Sequence, residues 1–406
     1  MQLDGQSFDV IIVGGGLAGN CLGLALVGNG LRIAIIEANT REQALNSAMG
    51  DRALALAAGT TETLETLGVW QGIRTKATAI TDIHVSDRGH FGKVRLSAKK
   101  QNVDALGYVI TARDIESHVA GMVDNTDITQ ICPARLVGLM SDDNEVSVSI
   151  KHQEESRCLS AKLLVGADGG NSSVRKLLDI SQHVTEYGQT ALVTTVRTSL
   201  PHQHIAYERF TNSGPLALLP LGKNHCSVVW TRSTEDADRL MMGNENDFLA
   251  ELQQCFGYRL GQLSLSAPRR AFPVSLIRAD RMNSGRAVII GNAAHQLHPV
   301  AGQGFNLGLR DVVQLAEMAV KQHEQGDDIG ASPFLNDYVV AREQDHRQTI
   351  GFTDTLVRLF SNDWLLLALT RNIGLAALDH LPAAKKALSS HAMGLSQLTP
   401  RFRNRN

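Results

Sequence analysis

The sequence of 406 residues predicts an α/β protein with three parts. These are a Rossmann-like dinucleotide-binding domain, an inserted and mostly antiparallel β-sheet domain, and a C-terminal helical segment. An apolar run near the N-terminus ends in a glycine cluster and leads into an amphipathic stripe, as in a βαβ unit. Short β-rich pieces fill the middle of the chain, and the pattern beyond Pro333 is mainly helical.

The first βαβ unit is predicted between residues 8 and 37. Residues 8–13 form a continuous apolar run of the kind found in buried parallel strands. A second buried strand follows at 32–37, and Gly28 and Gly30 end the helix between the two. One face of that helix is marked by apolar residues at helical spacing: Ala18, Cys21, Leu22, Ala25 and Leu26.

The remaining elements follow in chain order. Further buried strands are predicted at 163–166 and 286–291, and a helical stripe at 312–320. Turn residues at 212–215 and 221–224 punctuate the β-rich region. This pattern places the dinucleotide-binding domain at 1–80, 108–182 and 276–330, the β-sheet substrate domain at 81–107 and 183–275, and the helical segment at 331–406.

The composition excludes several classes of protein. Hydrophobic residues make up 43% and charged residues 20% of the chain, unlike a disordered or collagen-like protein. The net charge of −2 predicts no nucleic-acid partner. The first residues lack a signal-peptide pattern, and the apolar run 364–369 is far shorter than the ~20 residues of a spanning helix. We therefore expect a cytoplasmic protein, and peripheral contact with the inner membrane stays open.

The strongest local motif is the glycine cluster that follows the first strand. Gly14, Gly16 and Gly19 match G-x-G-x-x-G, and Glu37 closes the next strand. The first glycine permits a tight turn, the second lets the backbone approach a pyrophosphate, and the third allows helix and strand to pack closely. The free N–H groups of the helix attract phosphates, and Glu37 can accept hydrogen bonds from a ribose. The motif predicts dinucleotide binding but does not distinguish NAD from FAD.

Two later segments carry a resemblance to a known family. Residues 166–175 contain the pair Asp168-Gly169, and residues 291–308 read GNAAHQLHPVAGQGFNLG. With the N-terminal motif, these segments resemble the class A flavoprotein aromatic hydroxylases, which have a Rossmann-like FAD/NAD(P)-binding domain. Residues 50–56 and 208–220 are similar to the ubiquinone-biosynthesis branch of that family. One departure is Asn292, where relatives carry an aspartate.

The resemblance implies a set of FAD-binding residues. Glu37 would bind the adenosine ribose, and Arg52 and Arg113 would bind the phosphate or adenine side. Asp168 would contact the pyrophosphate region, and Asn292 would contact the ribityl chain. A salt bridge is the alternative role for each arginine, and a turn cap for Asp168. The pyrophosphate cradle would comprise Gly14, Gly16, Leu17, Ala18 and Gly19. A helix N-terminus beside the flavin would comprise Gly302, Gln303, Gly304, Phe305 and Asn306, and the flavin-face candidates are Leu219, His298 and Pro299.

The resemblance also implies a reaction. It is the hydroxylation of a polyprenyl methoxyphenol ubiquinone precursor by O₂ through a flavin C4a-hydroperoxide, with NAD(P)H as the expected reductant. The alternatives are a hydroxylase that acts at another ring position or on a soluble aromatic substrate, a flavin reductase or dehydrogenase, and an idle FAD-bearing scaffold subunit. Other ubiquinone-biosynthesis proteins are candidate partners.

A histidine pair and an apolar stripe each allow more than one interpretation. His295 and His298 stand three residues apart, but no Cys or acid is spaced to complete a metal shell, so no metal is expected. An apolar stripe at 356–378 is either core or a surface for lipid or a partner; it includes Leu356, Leu359, Phe360, Trp364 and Leu367.

Overall fold

The computed structural model describes residues 5–89, 92–153, 155–360, 385 and 393–394. Within these ranges the helices, numbered along the chain, are α1 (Leu17–Leu26), α2 (Arg41–Leu45), α3 (Ala58–Thr66), α4 (Trp70–Ile73), α5 (Ala98–Gln101), α6 (Ala112–Val123), α7 (Ser173–Leu177), α8 (Thr234–Met242), α9 (Glu245–Phe256), α10 (Gln303–Glu324) and α11 (Ser332–Phe360). None of the described helices is long and apolar enough to cross a membrane.

The strands form three sheets. In chain order they are β1 (Ser7–Val13), β2 (Ile33–Ile36), β3 (Ala53–Ala57), β4 (Thr78–Ile80), β5 (Asp82–Asp87), β6 (Lys93–Ser97), β7 (Gly107–Thr111), β8 (Thr129–Ile131), β9 (Ala134–Ser141), β10 (Val146–His152), β11 (Glu155–Gly166), β12 (Gln182–Thr198), β13 (Ile205–Thr211), β14 (Gly214–Leu221), β15 (His225–Ser233), β16 (Leu263–Leu265), β17 (Arg270–Ala279), β18 (Asn283–Ser284), β19 (Ala287–Ile289) and β20 (His295–Gln296).

The first sheet is built around parallel strands in the order β19–β11–β1–β2–β8. Its central strands are apolar on both faces because helices cover them, as in doubly wound folds. Every residue of β1 after Ser7 is buried, and so is all of β2. The helix α1 packs against α6 and α10 over this sheet. The predicted βαβ unit at 8–37 therefore forms one layered core.

The second sheet has nine strands in the order β20–β17–β12–β15–β14–β13–β5–β6, with β16 beside β12. Its pairings are antiparallel except for the parallel pair of β5 and β13. One face packs on α8 and α9 around the buried Trp230, Phe248 and Phe256. Strands from 81–107 and from 183–275 share this sheet. The division into domains at those boundaries stays a prediction.

Two long helices complete the described chain. The predicted stripe at 312–320 lies on α10, and its buried members belong to the core of the parallel sheet. The helix α11 packs against α10 and also reaches the second sheet, where Leu356 and Leu359 pack beside Val94 and Phe210. These two leucines of the predicted 356–378 stripe therefore face protein. Trp364 and Leu367 lie outside the described residues.

Candidate active site

A large cavity lies between the two main sheets. Its volume is about 1450 Å³, above the ~300–1,000 Å³ of common ligand sites. One side is formed by the turn between β1 and α1 and by the loop before α10. The other side is a face of the nine-stranded sheet, to which α11 contributes Phe352, Leu356 and Leu359. The volume and the two different walls suit a dinucleotide together with a second, apolar ligand.

The glycine turn has no room for side chains at two of its positions. A Cβ atom added to Gly19 would lie 1.9 Å from the carbonyl oxygen of Gly14. A Cβ atom on Gly14, whose φ is +108°, would lie 2.5 Å from the carbonyl oxygen of Ala167. At Gly16 the space within 4 Å is open, and this residue lines the cavity with Leu17 and Ala18. The turn is thus tight toward the protein and open toward the cavity.

Glu37 closes this end of the cavity. It follows β2, and its Oε2 accepts a hydrogen bond of 2.7 Å from the backbone N–H of Gly15. Its Oε1 accepts another of 2.7 Å from the N–H of Asn39. A carboxylate has about four acceptor positions, so lone pairs remain for a ligand. The glycine turn itself holds this carboxylate at the cavity wall.

The two predicted arginines have different surroundings. Arg52 lines the cavity together with Glu116. Burial lowers the pKa of Arg52, and the nearby Glu116 opposes that shift. Arg113 lies outside the described wall of the cavity and donates a hydrogen bond of 2.6 Å to Asp51. The salt bridge that was the alternative role of Arg113 is therefore present, and its contact with a cofactor stays a prediction.

Asp168 has one committed oxygen and one that is unpaired. Its Oδ2 accepts hydrogen bonds from the N–H groups of Ser173, at 2.6 Å, and Val174, at 3.2 Å. Its Oδ1 is buried and has no hydrogen-bond partner in the described part of the chain. Buried polar atoms are normally paired, so an unpaired oxygen in a residue of the cavity wall indicates a ligand group there.

The loop before α10 forms the next part of the wall. Asn292 and Pro299 are exposed to the cavity that they line. Gly302 has φ +59° and precedes the first turn of α10, which no described side chain caps. Gln303, Gly304 and Phe305 line the cavity in that turn. Uncapped N–H groups and the helix dipole make this helix end favourable for negative charge on a bound ligand.

Asn306 also lines the cavity, but its side-chain amide is committed to protein. Its Oδ1 accepts hydrogen bonds from the N–H of Ala57 and the hydroxyl of Thr60. Its Nδ2 donates to the carbonyl oxygens of Ala55 and Gly302. These four bonds use the full capacity of a carboxamide. The side chain of Asn306 therefore ties β3 and α3 to the start of α10, and the contact of this residue with a cofactor stays a prediction.

The three flavin-face candidates all line the cavity. Leu219 comes from β14, and His298 and Pro299 come from the loop before α10. Nδ1 of His298 accepts a hydrogen bond of 3.1 Å from the N–H of Val300. Burial lowers the pKa of His298 to about 4. The ring is therefore neutral near pH 7, with its proton on Nε2.

A buried polar cluster lies behind the loop and is centred on Asp311 of α10. Asp311 accepts hydrogen bonds from His295, His346 and Arg342. The three groups of His295, Asp311 and His346 lie within 4.8 Å of one another, a grouping that could hold a metal ion. The guanidinium of Arg342 already supplies positive charge to the same carboxylate. The expected absence of a metal stays a prediction.

Several residues of the cavity wall are not anticipated by the sequence analysis. Examples are Glu116, most of the sheet face, and Glu208 of β13, whose carboxyl group lies in the apolar part of the wall. A signal for Glu208 does exist, since it interrupts the apolar alternation of Ala206 and Phe210. Without knowledge of the strand pairing, that signal does not say which face is buried.

The residues fit an FAD molecule. Gly14 and Gly19 exclude side chains from the turn, Gly16 opens to the cavity, and Oδ1 of Asp168 lacks a partner among the described residues. Two helix N-termini reach the same cavity, from α1 and α10. Together with the parallel sheet, this arrangement defines a dinucleotide-binding protein with room for a second ligand beside the dinucleotide.

Comparison with known proteins identifies the family of the chain. A family profile described as "FAD binding domain" matches residues 7–344. The ubiquinone hydroxylase UbiL of Rhodospirillum rubrum is 35% identical over 97% of this chain and 91% of its own length. The 3-demethoxyubiquinol 3-hydroxylase of Escherichia coli is 30% identical over 96% of this chain and 99% of its own. The chain belongs to the FAD binding domain family, in the group that includes these hydroxylases.

A solved structure supports the same fold. The p-nitrophenol 4-monooxygenase PnpA from Pseudomonas putida superposes with a TM-score of 0.79 at 18% identity, covering 97% of this chain and 99% of that one. The predicted fold class, the resemblance to the ubiquinone-biosynthesis branch and the FAD cofactor are confirmed by these comparisons.

Proposed function

We propose that this protein is an FAD-dependent monooxygenase that hydroxylates the aromatic ring of a polyprenyl methoxyphenol, a ubiquinone precursor. The observation that carries this proposal is the continuity of the cavity. One wall is the glycine turn and the other is an apolar sheet face, so a ring bound against the sheet lies next to a flavin. The relatives named ubiquinone hydroxylases support the class of substrate.

The chain's own residues bind, orient and shield the reactants. Bound FAD supplies the oxygen, activated from O₂ after reduction by NAD(P)H, that is added to the ring. The N-termini of α1 and α10 stabilise the negative charges of the pyrophosphate and of the reduced isoalloxazine. Leu219, Phe272 and Val274 face the cavity from the sheet and exclude water from the ring. The neutral His298 and Pro299 would border the flavin.

The apolar wall also suits a prenyl tail. Aliphatic side chains from β5 and β6 extend the sheet face, and Leu356 and Leu359 close it from α11. We propose that the tail runs along this face.

We also propose that the protein contacts the membrane at its periphery, together with other ubiquinone-biosynthesis proteins. Trp364 belongs to the apolar stripe at 356–378 and tests this contact. Trp364→Glu should lower co-sedimentation with phosphatidylglycerol vesicles and leave the FAD content unchanged, and Trp364→Phe is the control.

A direct assay tests the proposed reaction. The purified holoprotein is incubated with NAD(P)H, O₂ and a prenyl methoxyphenol, and the product is identified by mass spectrometry. We expect one added ring hydroxyl whose oxygen comes from isotopically labelled O₂. Hydroxylation at another ring position, or of unprenylated phenols only, would favour the alternative hydroxylases. NAD(P)H consumption that yields only peroxide would favour a reductase. A protein that retains its FAD but shows no turnover would favour a scaffold subunit.

A further inference from the structure

A single carboxyl group interrupts the apolar sheet face of the cavity. It belongs to Glu208 on β13. Along this strand Ala206, Tyr207, Glu208 and Phe210 all line the cavity, but the ring of Tyr207 packs against Phe256 in the apolar cluster on the other side of the sheet. Alternate residues of a strand share a face, so Glu208 stands on the face that meets the substrate space.

The strand register shows what surrounds Glu208. It pairs with Ala217 on β14 and with Val85 on β5. Both of these residues line the cavity, and neither carries a titratable group. The helix α11 adds Phe352, Leu356 and Leu359 to the cavity wall, and these side chains are also apolar. The carboxyl therefore lies in an apolar environment, and the small side chains of alanine beside it leave space.

This carboxyl has an unpaired oxygen. Oε1 of Glu208 is buried and has no hydrogen-bond partner among the residues that the structure describes. Burial raises the pKa of Glu208 to about 7. An unpaired buried acceptor costs about 1–3 kcal/mol, and nothing in the described fold compensates for it. A group kept at such a cost in a ligand cavity indicates a polar group on the ligand.

We propose that the carboxyl of Glu208 binds a ring hydroxyl of the phenolic substrate and takes its proton during hydroxylation. This inference rests on the proposed function. A phenol in this space would place an apolar ring against the sheet and direct its O–H group to the unpaired Oε1 of Glu208. Glu208 would be the residue that distinguishes a phenol from an aromatic ring without a hydroxyl.

Glu208 acts as the base toward the phenol. The O–H bond of the phenol breaks, its electron pair stays on the phenol oxygen, and the proton bonds to a carboxylate oxygen of Glu208. The added electron density makes the ring carbon a better nucleophile toward the oxygen that bound FAD supplies. That carbon then loses its hydrogen as a proton to solvent, and Glu208 returns its own proton to the phenol oxygen.

The test compares two ligands in three variants of the FAD-loaded protein. The ligands are a short-chain prenyl methoxyphenol and the same compound with its ring hydroxyl methylated. The variants are Glu208→Leu, Glu208→Gln and, as a control, Glu186→Gln, which changes an exposed glutamate of β12 in the same sheet. Binding is followed by the perturbation of the flavin absorbance, and FAD content and thermal unfolding show that each variant is folded.

We expect Glu208→Leu to weaken phenol binding roughly ten- to hundredfold, the loss typical of a hydrogen bond to a charged group. Binding of the methyl ether should change less than threefold. Glu208→Gln keeps an acceptor, so it should lower kcat, with more peroxide per NAD(P)H consumed, and alter KM little. The Glu186→Gln control should match the wild type. If Glu208 had only a structural role, Glu208→Leu would weaken the binding of both ligands equally. Glu208→Gln would then not lower kcat while leaving KM unchanged.

Equal phenol affinity in the wild type and Glu208→Leu, together with unchanged hydroxylation by Glu208→Gln, would overturn the inference. A wild-type protein that binds the phenol and hydroxylates no ring would instead overturn the proposed function. In that case the difference between the two ligands still decides whether Glu208 binds a hydroxyl. If Glu208→Leu fails to fold, the kinetics of Glu208→Gln decide instead: a lower kcat with more peroxide at unchanged KM supports the transfer of the proton to Glu208, and an unchanged kcat overturns it.

Discussion

Nε2 of His295 donates a hydrogen bond of 2.7 Å to Oδ2 of Asp311, and both side chains are almost completely inaccessible, at 1% and 0% exposure. The same carboxylate accepts from the N–H of Gly291, at 3.2 Å, next to the cavity-lining Asn292. Its other oxygen accepts from Arg342 and His346 of α11. Asp311 thus holds the loop beside the cofactor space, α10 and α11 in one arrangement.

Replacing Asp311 with Asn should destabilise the protein and weaken FAD retention. The change leaves Arg342 with Asp345 as its remaining carboxylate partner and removes the negative charge that faces His295 and His346, so we expect a loss of about 1–3 kcal/mol, the cost of weakened buried hydrogen bonds. Urea unfolding measures the loss of stability, and flavin absorbance after gel filtration measures the retained FAD. Asp337→Asn changes an exposed aspartate of α11 and should stay within about 0.5 kcal/mol of the wild type. A stable Asp311→Asn protein with full FAD content would contradict this role.

The contribution of Asp311 should disappear in acid. Burial by itself would raise the pKa of this carboxyl, but His346, Arg342 and His295 hold it well below its ordinary value of 3.8. A depressed folded-state pKa stabilises the protein above the unfolded value, and that stabilisation is lost as the pH falls toward the folded value. The difference in unfolding free energy between wild type and Asp311→Asn should therefore be constant above pH ~5 and shrink below pH ~4. A difference that does not change with pH would refute the ionised state.

Glu208 should give the opposite pH dependence. Its folded-state pKa of about 7 lies above the ordinary value of 4.5 because of burial. Stability from this group is complete below the ordinary value and is lost as the pH rises toward the folded value. Without substrate, the free energy of unfolding of Glu208→Gln should rise by about 1–3 kcal/mol relative to that of the wild type as the pH increases from 5 to 8. Thermal unfolding of the FAD-loaded proteins at both pH values measures this change, and Glu186→Gln should show none.

A substitution at Gly16 should weaken cofactor binding without strongly affecting the stability of the fold. A Cβ atom added there has no other protein atom within 4 Å apart from its chain neighbours, and Gly16 lines the cavity. We expect Gly16→Val to lose most of its FAD while the apoprotein is destabilised by at most about 1 kcal/mol, the scale of a helix N-cap change. The flavin-to-protein absorbance ratio measures FAD. Gly121→Ala, in an open position on α6, is the control. Full FAD content in Gly16→Val would place the pyrophosphate elsewhere.

Much of the dinucleotide-binding region follows from local sequence patterns. The apolar run before Gly14 forms β1, the helical stripe forms α1, and the second apolar run forms β2. Helix and strand periods are short-range properties, and a tight turn needs glycine whatever the rest of the chain does. The sequence alone therefore determined the βαβ unit, and the motif order indicated the cofactor through its family resemblance.

Tertiary structure alone decided which polar groups are available to ligands. Asn306 bonds to Ala57, 249 positions away along the chain, and Arg113 pairs with Asp51, so neither has a role that motif spacing reveals. Glu208 became a candidate only when the pairing of β13 with β5 and β14 placed it on the apolar wall. A sequence pattern reports the period of an element, but the environment of a side chain depends on contacts between distant segments, which form only in the folded chain.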